Sequence, residues 1–230
     1  MYNITPKFKD LEESIKKVLE GTDDKPSWLE KRIDSGTVKV SDNSKFVLDR
    51  WGQLTWNKGI WQDGDWVNGT WKDGRWKNGT WHLGTWQNGT WEKGTFERGA
   101  WENGTWNNGT WIMGSWENGT WKNGTWRTGD WKMGTWKNGT WESGTWHSGT
   151  WEKGTFKAGV WERGTWKGGK FERGYWESGV WEDGTFDGGD WISGTWKGGK
   201  WLGGLDRNRQ FHPKGDSPDK WFAGSRGRVF

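Results

Sequence analysis

The stretch GSWENGTWKNGTWRT, residues 114–128, contains three consecutive copies of the five-residue unit that makes up most of this chain. Each copy has glycine, a residue that is usually threonine, tryptophan, and two variable residues. An aromatic residue recurs every five residues from Trp51 to Trp201, and from Gly59 to Gly204 a glycine follows three residues after each aromatic. Residues 51–205 therefore form one unbroken tandem repeat.

The repeat excludes a helix and favours short strands joined by bends. Glycine in every unit would cost a helix about 1 kcal/mol per unit. In a strand, alternate side chains share a face, so glycine and tryptophan point to one side, and threonine and the first variable residue to the other. The second variable residue is Asn, Asp, Gly or Ser in 19 of 30 units, which predicts a bend there. We predict an all-β, single-chain β-solenoid.

The irregular units predict how many units make one coil. All four phenylalanines of the repeat share a column when the sequence is written in rows of fifteen: Phe96, Phe156, Phe171 and Phe186. Residues that follow the aromatics have opposite charges nine times and like charges four times at a spacing of fifteen, against nine and five at twenty. Charge therefore leaves both spacings open, and the phenylalanine column favours fifteen. We expect three sides and roughly ten coils, about 50 Å long at about 4.8 Å per coil.

The segments outside the repeat predict a domain at each end. Residues 1–50 form a cap or attachment segment with a helix over 6–20, a short helix over 28–33, and strands over 37–40 and 45–48. Residues 206–230 form a basic, aromatic tail. Solenoid ends expose unpaired strand edges, so both segments are expected to cover the ends or attach the rod. The candidate attachment residues are Phe8, Leu11, Ile15, Val18, Leu19, Phe211, Trp221, Phe222 and Phe230.

Composition and charge restrict the partners. The net charge is +4, yet residues 51–205 carry 18 basic and 17 acidic residues, so no basic stripe predicts nucleic-acid binding. The chain has no cysteine, no apolar run long enough to span a bilayer, and no signal peptide at its start. We expect no membrane partner, and a location in a virion or a bacterial host cytoplasm.

The residues that catalysis requires do not form a pattern. There are three histidines, and His82 and His147 occupy a repeat position where Lys and Glu also occur. No nucleophile with a base, pair of carboxylates, metal-ligand cluster or phosphate-binding loop is recognisable. We predict that the protein is not an enzyme, with no catalytic, cofactor-binding or metal-binding residue.

The tryptophans and threonines each have two interpretations. Inward-pointing tryptophans form the core, whereas outward-pointing ones would offer a stacking platform to bases or sugars. The inward orientation is favoured because it leaves Thr, Lys and Glu outside. Outward threonine rows suggest an ice-binding surface, but each strand offers only one threonine beside charged residues, so strand propensity explains them better.

One fifteen-residue column departs from threonine and is the candidate interaction face. The alternative is sequence drift on an unconstrained surface. The members of the column that depart are Ala100, Ser115, Asp130, Val160, Tyr175, Asp190 and Leu205.

The unit Gly119-Thr120-Trp121-Lys122-Asn123 resembles that of pentapeptide-repeat proteins: a small residue, a polar one, a large apolar one and two variable ones. The resemblance covers residues 51–205 and implies a four-sided right-handed β-helix, a family that includes DNA mimics inhibiting topoisomerases. Tryptophan in place of Leu or Phe, glycine in place of Ala, and the period of fifteen all depart from that family. The chain also resembles Trp-rich repeat tracts of uncharacterised tailed-phage proteins.

These observations favour a non-catalytic structural or interaction protein, a rigid rod that serves as scaffold, spacer or binding surface, such as a phage virion component. The alternative is an inhibitor of a host enzyme, either a topoisomerase or a defence protein. A tryptophan platform for carbohydrate or nucleic acid is a lesser alternative. The expected partners are proteins, including a second copy of the chain.

Overall fold

From Asp65–Trp66 to Lys200–Trp201, each five-residue unit contributes a strand of only two residues, the aromatic and the residue before it. A computed structural model describes residues 39–40, 45–48 and 54–221. Strands fifteen residues apart pair in parallel, for example Thr105–Trp106 with Thr120–Trp121. The chain therefore coils into a three-sided β-solenoid of about ten coils with three parallel sheets. The prediction of fifteen residues per coil is confirmed, and the four sides implied by the pentapeptide-repeat resemblance are wrong.

The strands alternate between three sheets in chain order. Sheet A consists of β1 (Lys39–Val40), β4 (Ile60–Asp63), β7 (Arg75–Trp76), β10 (Thr90–Trp91), β13 (Thr105–Trp106), β16 (Thr120–Trp121), β19 (Thr135–Trp136), β22 (Thr150–Trp151), β25 (Thr165–Trp166), β28 (Val180–Trp181) and β31 (Thr195–Trp196). Sheet B consists of β2 (Lys45–Leu48), β3 (Leu54–Lys58), β6 (Thr70–Trp71), β9 (Thr85–Trp86), β12 (Ala100–Trp101), β15 (Ser115–Trp116), β18 (Asp130–Trp131), β21 (Thr145–Trp146), β24 (Val160–Trp161), β27 (Tyr175–Trp176), β30 (Asp190–Trp191), β33 (Gly203–Asp206) and β34 (Phe211–Pro213). Sheet C consists of β5 (Asp65–Trp66), β8 (Thr80–Trp81), β11 (Thr95–Phe96), β14 (Thr110–Trp111), β17 (Thr125–Trp126), β20 (Thr140–Trp141), β23 (Thr155–Phe156), β26 (Lys170–Phe171), β29 (Thr185–Phe186) and β32 (Lys200–Trp201). Helix α1 (Pro218–Trp221) follows the last strand.

The core is built from the aromatic rings. From Trp56 to Trp201 every repeat aromatic except the half-buried Trp196 is at most 3% exposed. Trp106 stacks on Trp121 of the next coil with centroids 4.7 Å apart and planes 5° apart, while Trp116 meets Trp121 edge to face at 6.0 Å and 72°. Both arrangements are favourable for aromatic quadrupoles. The prediction of inward tryptophans is confirmed, and an outward tryptophan platform is wrong for these residues.

The repeat glycine lies in the corner, and the expectation that it shares the inner face of a strand with tryptophan is wrong. Gly119 has a φ of 125°, a conformation that residues with a Cβ rarely adopt. A Cβ there would lie 2.4 Å from the carbonyl oxygen of Gly104, one coil earlier. That oxygen accepts a hydrogen bond from the backbone N–H of Thr120 at 2.9 Å. Glycine is therefore required because the coils meet closely at every corner.

The indole N–H groups have unequal environments. The N–H of Trp111 donates to the carbonyl of Thr128 at 3.2 Å, and that of Trp141 donates to the carbonyl of Ala158 at 3.1 Å. The buried N–H of Trp126, between them in sheet C, has no acceptor in hydrogen-bonding geometry. A buried donor without an acceptor costs about 1–3 kcal/mol. The favourable stacking of the rings therefore has to offset the cost of the indole N–H groups that lack acceptors.

Antiparallel strands flank the parallel coils. At the beginning, β1 pairs with β4 and β2 pairs with β3, with Phe46 stacked 6.4 Å from Trp56. At the end, β34 pairs with β33. The predicted strand over 45–48 is confirmed, and the one predicted over 37–40 is present at Lys39–Val40. The predicted helices over 6–20 and 28–33 lie outside the described residues.

Candidate interaction surfaces

The candidate interaction face is the outer surface of sheet B. The pairing register joins Ala100 to Ser115, Ser115 to Asp130, and, after Thr145, Val160 to Tyr175, with Asp190 and Leu205 continuing the row. All seven residues that depart from threonine therefore lie in one row along one side of the rod. The sequence correctly grouped them, because a period of fifteen returns the chain to the same sheet.

Tyr175, the one aromatic residue among these seven, is 52% exposed. Four coils earlier in the row, the hydroxyl of Ser115 donates to Glu117 at 2.6 Å, and Lys132 lies 3.1 Å from the same carboxylate. The Ser115 hydroxyl and the Lys132 ammonium hold the pKa of Glu117 below its usual value despite partial burial. The Ser115 hydroxyl thus holds an acidic side chain on the sheet-B face.

Two of the predicted attachment residues belong to the C-terminal cap, residues 206–221. Phe211 is 63% exposed and lies opposite Leu205 in the antiparallel pair, so it extends the sheet-B row. Trp221 is half-buried and meets Trp201 edge to face at 4.9 Å. Phe211 is thus available to a partner, whereas Trp221 covers the core. The other candidates lie outside the described residues: Phe8, Leu11, Ile15, Val18, Leu19, Phe222 and Phe230.

A buried polar cluster in the cap was missed by sequence reasoning. His212 stacks on Trp221 with centroids 3.8 Å apart, and its backbone carbonyl accepts a hydrogen bond from Trp201 at 2.9 Å. Its Nδ1 lies 2.8 Å from Asp216 and its Nε2 lies 3.3 Å from Asp206. Each ring nitrogen therefore faces a carboxylate, so the His212 side chain bridges Asp206 and Asp216.

The two carboxylates of this cluster are stabilised in the charged form. Burial opposes ionisation of Asp206, yet the backbone N–H of Gln210, the His212 ring and the backbone N–H of Asn208 hold its pKa below the usual value. Burial likewise opposes ionisation of Asp216, and the His212 ring together with the Ser217 N–H lowers its pKa. The cluster therefore fixes the turn that carries Trp221 over the last coil.

On the exterior, polar and charged side chains of successive coils contact each other. Lys132 forms an ion pair with Glu117 at 3.1 Å, and the Nδ1 of His147 lies 2.9 Å from a carboxylate oxygen of Glu162, each across fifteen residues. His82 pairs with Glu97 in the same way. The structure thereby selects fifteen over the twenty-residue spacing that charge counting left open. Within the described residues, no group of three or more His, Cys, Asp or Glu side chains is placed to hold a metal ion.

Charge is divided unevenly among the three faces, counting the residues immediately before and after each aromatic. The sheet-B face has a net charge of −4, from Glu102, Glu117, Asp130, Glu162, Glu177 and Asp190 against Lys72 and Lys132. The sheet-A face has a net charge of +3, from Arg75, Lys77, Lys122, Lys137, Lys167 and Lys197 against Glu92, Glu152 and Glu182. The sheet-C face has a net charge of −1, from Asp65, Glu97, Glu142, Glu172 and Asp187 against Arg127, Lys157, Lys170 and Lys200. The near-neutral total thus conceals a basic face beside an acidic one.

No family model, curated protein or solved structure matches the chain. In the part of the chain that the structure describes, there is no helix of the length and apolarity needed to cross a membrane.

Proposed function

We propose that this protein is a non-catalytic rigid rod that serves as a scaffold, spacer or binding surface for protein partners. The observation that carries this proposal is the uninterrupted series of coils with stacked aromatic rings from Trp56 to Trp201. An interior ring such as that of Trp121 contacts rings above, below and beside it, and close-packed interiors deform little. Such a rod holds groups at its two ends at a fixed separation of about 50 Å.

The distinctive surfaces support attachment through the ends, residues 1–50 and 206–230. The exposed ring of Phe211 stands at the C-terminal end, and exposed aromatics are frequent anchors in protein interfaces. The long sides carry mostly threonine and mixed charge. We therefore expect end residues to hold partners and the sides to remain solvated or to contact further copies.

A single exposed ring gives a test that leaves the core intact. Phe211→Ser is expected to weaken capture of the native partner at least tenfold, as for loss of an interface anchor. Met133→Ser is the matched control, because Met133 is 56% exposed but lies away from the cap. Both variants should keep the wild-type circular dichroism. Deleting residues 206–230 and, separately, residues 1–50 extends the test, and full partner binding by both folded truncations would contradict end attachment.

The resemblance to Trp-rich phage tracts supports a role as a virion component, and proteomics of purified virions tests it. Absence from the particles together with early expression would favour the alternative, an inhibitor of a host enzyme. Charge density weighs against inhibition by DNA mimicry. Duplex DNA carries one charge per about 1.7 Å, about 28 over the length of the rod, whereas the sheet-B face carries a net charge of −4.

A further inference from the structure

The unequal division of charge identifies two complementary surfaces on the same molecule. We propose that the basic sheet-A face of one copy docks against the acidic sheet-B face of a second copy, with the rods parallel. The inference rests on the proposed role of the rod as a scaffold, and it concerns the long sides rather than the ends. Oppositely charged surfaces steer association and disfavour wrong pairings.

The same charges select the type of contact. A two-fold contact through one face would place sheet B on sheet B, with a charge of −4 opposing −4, or sheet A on sheet A, with +3 opposing +3. Contact of sheet A with sheet B joins opposite charges. It leaves the sheet-B face of one rod and the sheet-A face of the other free to bind further copies. Such heterologous contacts add further copies until a ring closes or a row of rods forms.

A charge correlation at twenty residues supports this contact and gives its offset. Twenty residues amount to one coil plus one side, so from sheet B they lead to sheet A one coil further along. Among residues that follow an aromatic, pairs of this kind are opposite five times and alike once, at Glu162 and Glu182. The corresponding pairs that start on the other two sheets are opposite four times and alike four times. The opposite pairs are Lys72 with Glu92, Glu102 with Lys122, Glu117 with Lys137, Lys132 with Glu152, and Glu177 with Lys197.

The ion pairs described within one rod include spacings of fifteen and seventeen residues. Between coils, Lys157 pairs with Glu142 across fifteen residues, and Lys170 pairs with Asp187 across seventeen. Two parallel rods displaced by one and a third coils, about 6.4 Å at about 4.8 Å per coil, would place each of the twenty-residue pairs at the same height on facing surfaces. Facing strands then run in opposite directions. The residues that follow the aromatics on sheet A of one rod and on sheet B of the other are therefore separated along the strand direction by about two residues, or roughly 6.6 Å. Extended Lys and Glu side chains cover that distance.

The size of the contact sets its strength. A face about 10 Å wide and about 45 Å long offers roughly 450 Å² per rod, or about 900 Å² in total, which is below the standard size of a specific interface. The threonine row of sheet A, from Thr90 to Thr165, allows close approach, and Val160 and Tyr175 add apolar surface on sheet B. We therefore expect weak self-association that decreases with ionic strength, because exposed charge pairs are screened by salt.

Charge reversal with rescue tests the proposal on the full chain. Glu102→Lys with Glu177→Lys reverses two sites on sheet B, and Lys122→Glu with Lys197→Glu reverses their partners on sheet A. Each double variant should raise the dissociation constant, measured by sedimentation equilibrium at low ionic strength, by about tenfold or more. The fourfold variant exchanges the signs and should restore association to within a few-fold of wild type.

A matched control changes the same charge on the third face. Glu142→Lys with Glu172→Lys alters the net charge as the sheet-B variant does but lies on sheet C, so it should leave association unchanged. A monomeric wild-type protein at low salt, equal loss in the sheet-C control, or failure of the fourfold variant to recover would each overturn the proposal. None of these outcomes affects end attachment, which the Phe211 and truncation experiments measure separately.

Discussion

Two adjacent glycines, Gly168 and Gly169, lie at one corner of the solenoid. Replacing each of them by alanine tests how closely the coils meet at that corner. Gly169 has a φ of 102°, and a Cβ on it would lie 2.3 Å from the carbonyl oxygen of Gly154. The neighbouring Gly168 occupies the second variable position, and a Cβ on it would meet only the carbonyl oxygen of Glu152 at 3.5 Å, an ordinary contact. Gly169→Ala is therefore expected to be destabilising, and Gly168→Ala is its matched control.

The expected loss for Gly169→Ala follows from two contributions. Left-handed backbone costs a residue with a Cβ about 1–2 kcal/mol. The obstructing oxygen of Gly154 accepts a hydrogen bond from the Lys170 N–H at 2.9 Å, and moving it away disrupts a bond whose buried groups cost about 1–3 kcal/mol when unsatisfied. The sum is about 2–5 kcal/mol. Gly168→Ala should lie between no change and a gain of about 1 kcal/mol, because alanine lowers the entropy of the unfolded chain.

Guanidinium unfolding followed by far-ultraviolet circular dichroism and tryptophan fluorescence measures both changes. Since each coil contacts only its neighbours, the defect can melt one end first, and the two signals should be fitted with a nearest-neighbour model of coupled coils. Equal free energies of unfolding for the two variants would refute the reasoning, because it attributes the loss to position 169 alone.

Two further predictions concern the core and the cap. Trp111→Phe should lower the free energy of unfolding by about 1 kcal/mol more than Trp126→Phe, because only Trp111 loses a hydrogen bond; equal losses in chemical denaturation would contradict this. Asp206 and Asp216 have lowered pKa values in the folded protein. The stability that their charged carboxylates give to the cap is therefore present above the pKa of about 3.9 in the unfolded chain, and it is lost as the pH falls through their pKa values in the folded protein. The protection factors of the cap amides, which correct for the intrinsic pH dependence of exchange, should therefore fall in acid, and His212→Ala should diminish this fall; an unchanged acid response in that variant would contradict the role of the cluster.

Much of the solenoid could be predicted because its irregular residues follow the coil period. The phenylalanine column predicted fifteen residues per coil, and all four phenylalanines indeed lie in sheet C. The row from Ala100 to Leu205 likewise lies on one sheet. A tandem repeat makes long-range contacts readable from the sequence, because every partner lies one period away.

Features outside the repeat, or hidden in backbone geometry, were not predictable. Alternation of side chains suggested that glycine lay inside, but strands of two residues leave it in the corner with a positive φ. The cluster of Asp206, His212 and Asp216 has no period to mark it and depends on the turn before β34. The segregation of charge became visible only when each residue had been assigned to a face.

The three-sided register gives the rod a length that can change only in certain steps. Duplicating a fifteen-residue segment would add one coil, about 4.8 Å, and would return every later residue to its own face. Duplicating a single five-residue unit would leave the local pattern intact but would turn the downstream half of the rod by one side. Tyr175 and the acidic face would then continue on the sheet-A side, and the basic face would continue on the sheet-C side. Variation in length among genes for such rods should therefore occur in whole coils.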